Sequence, residues 1–565
     1  MEKTWWKKGI AYQVYVRSFK DSNRDGIGDL KGIIEKLDYL KDLGVDIIYF
    51  NPINKSPNYD NGYDISDYRD IMDEFGTVED LELLMEELKK RRMRFVLDLV
   101  LNHTSHEHPW FVESRKGKDN PYRDYYIWHP GKKGGTVPPN NWGSFFGGSV
   151  WEYDEESEEY YFHLFAPEQP DLNWRNENVR REMKEIIKYW LDLGVDGFRL
   201  DAINHLEKDF TFLDAPINPN SGYSTVYGDG LKYIQNLPEV HGYLKELRKD
   251  AFSMKDCVVI GETGSVNHEN AFLYTGDDRK ELDMVFHFDM HNLGNAVESW
   301  KKGRVNLITD IKEKMSGWQI RPESEGWCPL FFSNHDMARP ISRLGNDKEF
   351  WKESAKMLAT MQLTQKGTPF IYNGDEIGMT NAWDYELEDY RDSCIITRLK
   401  NLVNNGTMTE ENFIDSLRHT ARDNSRTPMQ WEDSKNAGFS SGEPWIRVNS
   451  NYKDINVERQ LKDEDSILSY YKKIIKLRKE NDVLVFGSFI ELCRENEQVY
   501  SYIRELDGER MLIVFNFFED EAKFCLPDYV ECGEVELLLS NYKSVDNNIR
   551  NVRLRPYEAR IYKLK

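Results

Sequence analysis

The sequence predicts an α/β fold, a (β/α)₈ barrel with a loop-rich insertion after its third strand and a C-terminal all-β domain. Short apolar runs alternate with longer amphipathic stretches of helical period, which is the pattern of repeated βα units. One segment rich in Pro, Gly, Asn, Trp and Tyr interrupts this pattern, and alternating strands replace it near the C-terminus. The 565 residues are enough for about two to four domains.

Eight apolar runs with strand character predict the barrel wall. They are residues 10–16, 45–52, 94–103, 195–202, 257–262, 284–289, 329–336 and 368–376. Helical stretches such as 30–44 and 179–194 lie between them and end in a glycine that can cap a helix. We therefore assign residues 1–103 and 174–480 to the barrel, with a helical subdomain at about 377–475.

Two further domains complete the predicted organisation. Residues 104–173 show no strong helical period, so they are interpreted as an inserted domain over the strand ends. Residues 481–565 carry alternating strand patterns such as VYSYIREL and RMLIVFNF, so they are interpreted as a C-terminal β-sandwich domain.

Composition excludes several classes of partner. The chain has 98 Asp and Glu residues and 75 Lys and Arg residues, which gives a net charge of −23. Because this charge repels phosphate backbones and anionic lipid, we expect neither nucleic acid nor membrane as a partner. Six cysteines without a CxxC pair suit a reducing compartment. The N-terminal residues lack a signal-peptide pattern and no apolar run approaches membrane-spanning length, so we expect a cytoplasmic protein. We also expect a monomer or weak oligomer.

Polar residues close many of the apolar runs. Such residues at the carboxyl ends of barrel strands face the active site in barrel enzymes. Seven of them occupy this position on the sequence pattern: Asp98, His103, Arg199, Asp201, Glu262, His335 and Asp336. Any one of these residues could equally form a local salt bridge at the rim of the barrel. Seven of them together favour a catalytic cluster.

Two of these carboxyls have contrasting surroundings. Arg199 and Asp201 are two residues apart on one strand and share a face, so the cation is expected to keep Asp201 ionised as a nucleophile. Glu262 ends the apolar run CVVIGE, where partial desolvation suits a general acid. A charged carboxylate beside a protonatable one is the arrangement of a glycosidase.

The chain resembles the α-amylase family of glycoside hydrolases. DLVLNH (98–103), GFRLDAIN (197–204), IGET (260–263) and SNHD (333–336) resemble the four signature regions of that family. QPDLN (169–173), GYDISDY, ARDNSRTPMQW and INVERQ resemble its oligo-1,6-glucosidase and α-glucosidase subgroup. The resemblance covers nearly the whole chain and implies a retaining glycoside hydrolase on a TIM barrel.

The resemblance also implies roles for individual residues. Asp201 matches the nucleophile, Glu262 the acid/base, and Asp336 the third acid, which binds the 2- and 3-hydroxyls of the sugar. Asp60 and Arg422 match a pair that binds the 4- and 6-hydroxyls of the non-reducing end. The other residues expected to bind the substrate are Tyr63, His103, Phe165, Gln169, Arg199 and His335.

A separate stretch, DSNRDGIGD (21–29), has the alternating oxygen donors of a calcium loop. Such a run is as often a solvated acidic turn, but the subgroup carries Ca²⁺ here, which favours a structural ion. The expected ligands are Asp21, Asn23, Asp25, Asp29 and the carbonyl of Ile27.

The sequence predicts an exo-acting retaining α-glucosidase that releases terminal glucose from short oligosaccharides or disaccharides. In the subgroup, valine after the nucleophile accompanies α-1,6 substrates, and Ala202 therefore favours maltose- or sucrose-type substrates. An oligo-1,6-glucosidase, a sucrose isomerase-like transglucosidase and a trehalose-6-phosphate hydrolase remain alternatives, with a non-catalytic barrel more remote. A trehalose-6-phosphate hydrolase should have a cluster of cations that binds the phosphate, and Lys55 alone is too little for such a cluster. Residues 288–300 lack the arginine-rich loop of sucrose isomerases, which favours hydrolysis over isomerisation.

Overall fold

The computed structural model describes most of the 565 residues. The described residues are 4–217, 227–293, 304–404, 406, 408–543, 545 and 548–565. Residues 294–300, on which part of the argument about sucrose isomerases depends, lie outside this set.

Eight parallel strands form one sheet, as the sequence predicts. They are β1 (Ala11–Val14), β2 (Ile47–Phe50), β3 (Arg94–Val100), β4 (Gly197–Asp201), β5 (Val258–Thr263), β6 (Met284–His287), β7 (Pro329–Leu330) and β8 (Thr368–Tyr372). Their order in the sheet is β6-β5-β4-β3-β2-β1-β8-β7. Since β6 and β7 are also close to each other, the sheet curls into a nearly closed barrel. The predicted fold class is confirmed.

Helices follow the strands around the outside of the barrel. They are α1 (Leu30–Leu43), α2 (Val78–Lys90), α3 (Glu177–Leu193), α4 (Glu239–Asp250), α5 (Phe272–Thr275), α6 (Arg304–Gln319), α7 (Trp351–Thr364) and α8 (Ile467–Glu480). Shorter helices occupy Trp5–Lys8, Pro109–Ser114, Asp289–Asn292, Pro340–Leu344, Val457–Leu461 and Asp482–Phe486. None of the helices in the described part of the chain is long and apolar enough to cross a membrane.

Local sequence explains where the helices begin and end. The Asp29 side chain accepts a hydrogen bond from the Gly32 amide and caps α1, and Gly44 ends that helix at φ 102°. Thr77 and Asp80 form a reciprocal capping box at the start of α2. The loops at the strand ends are therefore held by their own helix caps.

The insertion packs on a small aromatic core over the strand ends. Its three antiparallel strands are Trp128–His129, Trp151–Asp154 and Glu159–Phe162, with the last of these in the centre. Trp142 and Trp151 are buried in this core. The backbone of Asp171 bridges to that of His103, which joins the insertion to the loop after β3.

Helices and an antiparallel domain complete the chain after β8. Besides α8 and the short helices Val457–Leu461 and Asp482–Phe486 given above, the described α-helices after β8 are Ser393–Asn404, Glu410–Thr420 and Asp423–Arg426. The strands of the C-terminal domain are β9 (Ser488–Leu492), β10 (Val499–Leu506), β11 (Glu509–Asn516), β12 (Ala522–Phe524), β13 (Val535–Ser540), β14 (Val552–Leu554) and β15 (Ala559–Leu564). Five of them form one sheet in the order β9-β10-β11-β15-β13, and β12 pairs with β14.

Two buried arginines join this domain to the barrel. Arg504 of β10 donates to the carbonyls of Thr364 and Leu484 at 2.6 and 2.9 Å. Arg478 of α8 donates to the carbonyls of Leu363 and Leu484 at 2.9 and 3.0 Å. Each guanidinium thus satisfies several carbonyls that would otherwise be buried without a donor.

Candidate active site

The three predicted catalytic acids line one cavity at the carboxyl ends of the barrel strands. The cavity encloses about 710 Å³, and Asp201, Glu262 and Asp336 all contribute to its wall. This size is that of a small-molecule site. Of the residues predicted to bind substrate, the following line it too: Asp60, Tyr63, His103, Phe165, Arg199, His335 and Arg422. Gln169 is buried behind that wall.

Arg199 connects the nucleophile candidate with the acid/base candidate. Its Nη1 lies 2.6 Å from Asp201 Oδ1, and its Nη2 lies 2.8 Å from Glu262 Oε1. The same Nη1 also donates to both carboxylate oxygens of Asp98, at 2.9 and 3.0 Å. One guanidinium thus contacts three carboxylates, and it keeps Asp201 and Glu262 close to each other.

A strained turn directly after β4 completes this arrangement. Ala202 has a left-handed backbone with φ 44° and ψ 36°, a conformation that residues other than glycine rarely adopt. Its N–H donates to Glu262 Oε2 at 3.1 Å. The residue that the sequence singled out for its side chain therefore also orients Glu262 through its backbone.

Asp336 belongs to a second cluster of charged residues. Because β7 is only two residues long, His335 and Asp336 lie on the loop after it and not at the strand end itself. Asp336 accepts from Arg422 Nη1 at 3.1 Å and from Arg426 Nη2 at 3.0 Å, and it lies 3.0 Å from His335 Nε2. Burial raises the pKa of Asp336, but the contacts with His335, Arg422 and Arg426 outweigh this effect and hold that pKa well below its ordinary value.

Asp60, Gln169 and His103 form a connected group on the side of the insertion. Gln169 Nε2 donates to Asp60 Oδ2 at 3.1 Å and lies 3.1 Å from His103 Nε2. Burial, opposed by Arg422, raises the pKa of Asp60 to about 7. The ring of Phe165 lies 5.2 Å from that of His103. Gln169 therefore connects two residues of the cavity wall.

Tyr63 connects the Arg199 and Asp336 clusters. Its hydroxyl donates to Asp98 Oδ2 at 2.9 Å and lies 2.7 Å from His335 Nε2. The Tyr63 and His335 rings stack with centroids 5.4 Å apart. The tyrosine therefore has both an aromatic face in the cavity and a polar role behind it.

The environment of Asp201 differs from the sequence-based expectation. Burial raises the pKa of Asp201 well above its ordinary value, and the Arg199 cation only partly opposes this effect. The negative charges of Glu262 and Asp98 raise it further. The prediction considered one cation beside Asp201, whereas three carboxylates share that cation in the structure.

Some residues of the site, both on the cavity wall and behind it, were not predicted from the sequence. Arg426 contacts Asp336, and its spacing of four residues from Arg422 could have placed both on one helix face. Asp392, which contacts Arg422, is 30 residues away along the chain and had no local signal. The cavity-lining residues outside the prediction include Phe145, Phe146, His205, His287 and Asp289.

The 21–29 loop connects β1 to α1 and does not line the cavity. Asp21 accepts hydrogen bonds from the amides of Asn23, Arg24 and Gly26. Gly26 has φ 90°, and a Cβ there would lie 1.7 Å from the Glu443 carbonyl oxygen, so only glycine fits. The oxygen-only donors suit a hard cation, although no group of three or more His, Cys, Asp or Glu in the described residues is arranged to hold a metal.

A barrel with a pair of carboxyls, Asp201 and Glu262, at its strand ends has the arrangement of a glycoside hydrolase. Residues 13–487 match the catalytic domain of alpha amylase, and residues 489–561 match the C-terminal domain of maltogenic amylase. The chain therefore belongs to the alpha-amylase family of glycoside hydrolases. This membership confirms the resemblance found in the signature motifs.

Full-length relatives carry several activities. The chain is 50% identical to an oligo-1,6-glucosidase of Parageobacillus thermoglucosidasius, with 100% of both chains covered. A trehalose-6-phosphate hydrolase of Bacillus licheniformis is 42% identical with a TM-score of 0.91, and 100% of both chains is covered. An isomaltulose synthase of Klebsiella sp. is 42% identical with a TM-score of 0.93, again with 100% of both covered. Substrate choice must therefore be argued from the site and not from the fold.

Proposed function

We propose that this protein is an exo-acting retaining α-glucosidase that hydrolyses terminal non-reducing α-linked glucose from short oligosaccharides or disaccharides. The observation that carries the proposal is the pairing of Asp201 and Glu262 on one guanidinium, inside a cavity that Arg422 and Asp60 also line. Arg422 Nη2 and Asp60 Oδ1 are 3.6 Å apart. A wall with these hydrogen-bonding groups suits the end of a glucose chain and supports exo action.

The reaction follows from the two carboxyls. Asp201 attacks the anomeric carbon while Glu262 gives a proton to the leaving oxygen, which forms a covalent glucosyl–enzyme and releases the aglycone. Glu262 then takes a proton from water, the water attacks the same carbon, and Asp201 leaves. Two displacements retain the anomeric configuration. Asp336 stays ionised beside Arg422 and Arg426 and accepts hydrogen bonds from sugar hydroxyls.

The charge of the cavity supports a neutral substrate over a sugar phosphate. The charged residues among its described lining are Asp60, Asp201, Glu262, Asp289, Asp336, Arg199 and Arg422. The five acids outnumber the two arginines, and both arginines already pair with carboxylates. Lys55 pairs with Asp70 and Asp73 and is not among the lining residues. These contacts disfavour trehalose 6-phosphate.

The experiment is product analysis with maltose, isomaltose, sucrose and trehalose 6-phosphate. We expect release of α-configured glucose from maltose or sucrose, read by NMR immediately after mixing. Asp201→Asn should lower kcat about 10⁴-fold or more, because the nucleophile is lost. Asp250→Asn, which changes an exposed acid on α4, is the matched control and should act like the wild type. Activity retained in Asp201→Asn would remove the assignment of the nucleophile.

We further propose that the 21–29 loop binds a structural Ca²⁺ through Asp21, Asn23, Asp25, Asp29 and the Ile27 carbonyl. The support is the oxygen-only donor set in one tight turn. The ion would stabilise the β1–α1 connection and take no part in the chemistry. The cytoplasmic location and the monomeric or weakly associating state inferred from the sequence stay predictions.

A further inference from the structure

We propose that Asp392 is a positioning residue that holds the guanidinium of Arg422 in the orientation needed to bind the non-reducing glucose. The inference rests on the proposed α-glucosidase function. Asp392 Oδ2 accepts from Arg422 Nε at 2.5 Å, and Asp392 Oδ1 accepts from Arg422 Nη2 at 3.0 Å. Two parallel hydrogen bonds of this kind fix the plane of a guanidinium as well as its position.

Asp392 is itself held from the other side by the residue next to Arg422. The Asp423 carboxylate accepts the backbone N–H of Arg391 at 2.6 Å and that of Asp392 at 2.9 Å. Asp392 and Asp423 are both buried. Two sets of hydrogen bonds therefore join residues 391–392 to residues 422–423. The Arg422 side chain donates to the Asp392 side chain, and the backbone of residues 391–392 donates to the Asp423 side chain.

The hydrogen bonds to Asp392 determine which atoms of the Arg422 guanidinium face the cavity. With Nε and one side of Nη2 directed to Asp392, Nη1 reaches Asp336 at 3.1 Å. The other side of the guanidinium approaches Asp60, at 3.6 Å from Nη2. Rotation of the side chain would break both bonds to Asp392 at once. Asp392 therefore sets the spacing between Arg422, Asp60 and Asp336, the three charged groups that surround the proposed site of the terminal hydroxyls.

The insertion restrains the same guanidinium from a different direction. The ring of Phe146, which also lines the cavity, lies 5.8 Å from the Arg422 guanidinium carbon. A cation near an aromatic ring is attracted to it, but the ring offers no hydrogen bond that fixes rotation in the plane. Of the contacts with Phe146 and Asp392, the one that fixes the orientation in the plane is the pair of hydrogen bonds to Asp392.

The test compares wild type and Asp392→Asn on p-nitrophenyl α-glucoside and on its 4-deoxy analogue. An amide cannot accept both bonds from the guanidinium, so Arg422 should lose its fixed orientation. We expect KM for the glucoside to rise about tenfold, with kcat changed less than about threefold. The preference of the wild type for the glucoside over the 4-deoxy analogue should shrink in parallel, because the lost contact is with that end of the sugar.

A double-mutant cycle with Arg422→Lys tests whether Asp392 acts through Arg422. A lysine keeps the charge but cannot make the two-bond contact, so Asp392→Asn should add little to the KM of Arg422→Lys. Full additivity of the two changes would overturn the inference. Asp384→Asn is the matched control, since this exposed acid pairs with Arg447 in the same region and lies away from the cavity.

The outcomes separate a positioning role from a purely structural one. A lower melting temperature in Asp392→Asn with unchanged KM and unchanged preference over the 4-deoxy analogue would overturn the inference. If Asp392→Asn does not fold, Asp392→Glu is used, because it keeps the negative charge but moves the carboxylate relative to the Arg422 guanidinium. Its KM and its preference for the glucoside over the 4-deoxy analogue are measured and interpreted as for Asp392→Asn. If the wild type releases no glucose from either glucoside, it is the proposed function that fails.

Discussion

Arg199 and Ala202 show how the chemistry depends on single residues close to the nucleophile. The Arg199 guanidinium contacts Asp98, Asp201 and Glu262, and the Ala202 amide contacts Glu262. The pKa of Asp201 therefore depends on how Asp98, Asp201 and Glu262 share the Arg199 cation. The pocket wall at Ala202 depends on a backbone that few residues tolerate.

The acid limb of the pH profile should report the surroundings of Asp201. Because burial raises the pKa of Asp201 and the nucleophile must be ionised, kcat/KM should fall as pH drops through this raised pKa, above about pH 4. Asp98→Asn removes a negative charge that raises that pKa, so the limb should move to lower pH. A limb at or below pH 4 in the wild type, or an upward shift in the variant, would contradict this account.

Ala202→Val tests the second residue. The larger side chain should raise the isomaltose-to-maltose ratio of kcat/KM by about tenfold. It should also lower stability by about 1–2 kcal/mol, since a β-branched residue is strained at φ 44°. Ala202→Gly is the control: it relieves the strain, keeps the N–H to Glu262 and should leave the ratio near that of the wild type. An unchanged ratio in Ala202→Val would refute the role in linkage preference.

At the scale of elements, the loops after the strands carry the function and the helix caps position them. The 21–29 loop ends in Asp29, whose carboxylate caps α1 and also accepts from the amide and hydroxyl of Ser22. The helix Asp423–Arg426 begins directly after Arg422 and supplies Arg426. Short elements and loops therefore place Asp29 and Arg426.

Calcium should stabilise the protein through the 21–29 loop. If the ion binds the native state, Ca²⁺ at about 100 times its Kd should add about 2.7 kcal/mol to the free energy of unfolding, and EDTA should remove it. Thermal unfolding with Ca²⁺ and with EDTA measures this effect. Asp25→Asn should reduce the difference, whereas Glu35→Gln on the exposed face of α1 should not. Identical melting temperatures in Ca²⁺ and EDTA would rule out the structural ion.

For the whole molecule, the barrel and the C-terminal domain are joined by buried polar contacts as well as by apolar packing. Arg504 donates to four backbone carbonyls, those of Thr364, Leu484, Gly487 and Ser488. Arg478 adds contacts from α8. Since burial lowers the pKa of Arg504 to about 10, the charge is costly to keep there and the carbonyls compensate for it.

Arg504→Met should destabilise the protein without changing its chemistry. The carbonyls of Thr364, Gly487 and Ser488 would lose this donor, whereas Leu484 keeps the one from Arg478, so the free energy of unfolding should fall by about 3 kcal/mol. Arg510→Met is the matched control, because Arg510 lies in the same domain and its hydrogen bond to the Glu531 carbonyl is exposed. Chemical denaturation measures stability, and kcat at 25 °C should stay that of the wild type. Equal stability of the two variants would refute the role of Arg504 at the junction.

The sequence by itself determined the fold class and the family. Strand and helix periods depend on local alternation of apolar residues, and the signature motifs are short, so both can be read without a structure. The predicted site residues also follow from these motifs, and the structure brings the three acids and seven of the predicted binding residues to one cavity wall. Their individual roles stay predictions until the variants are measured.

Only the tertiary structure decided how the charges are shared. Asp98, Asp201 and Glu262 come from three strands and meet at Arg199, so burial outweighs the single cation that the spacing of Arg199 and Asp201 suggested. Asp392 meets Arg422 across 30 residues of chain. The physical reason is that charge interactions and desolvation depend on distances in space, which a local pattern cannot contain.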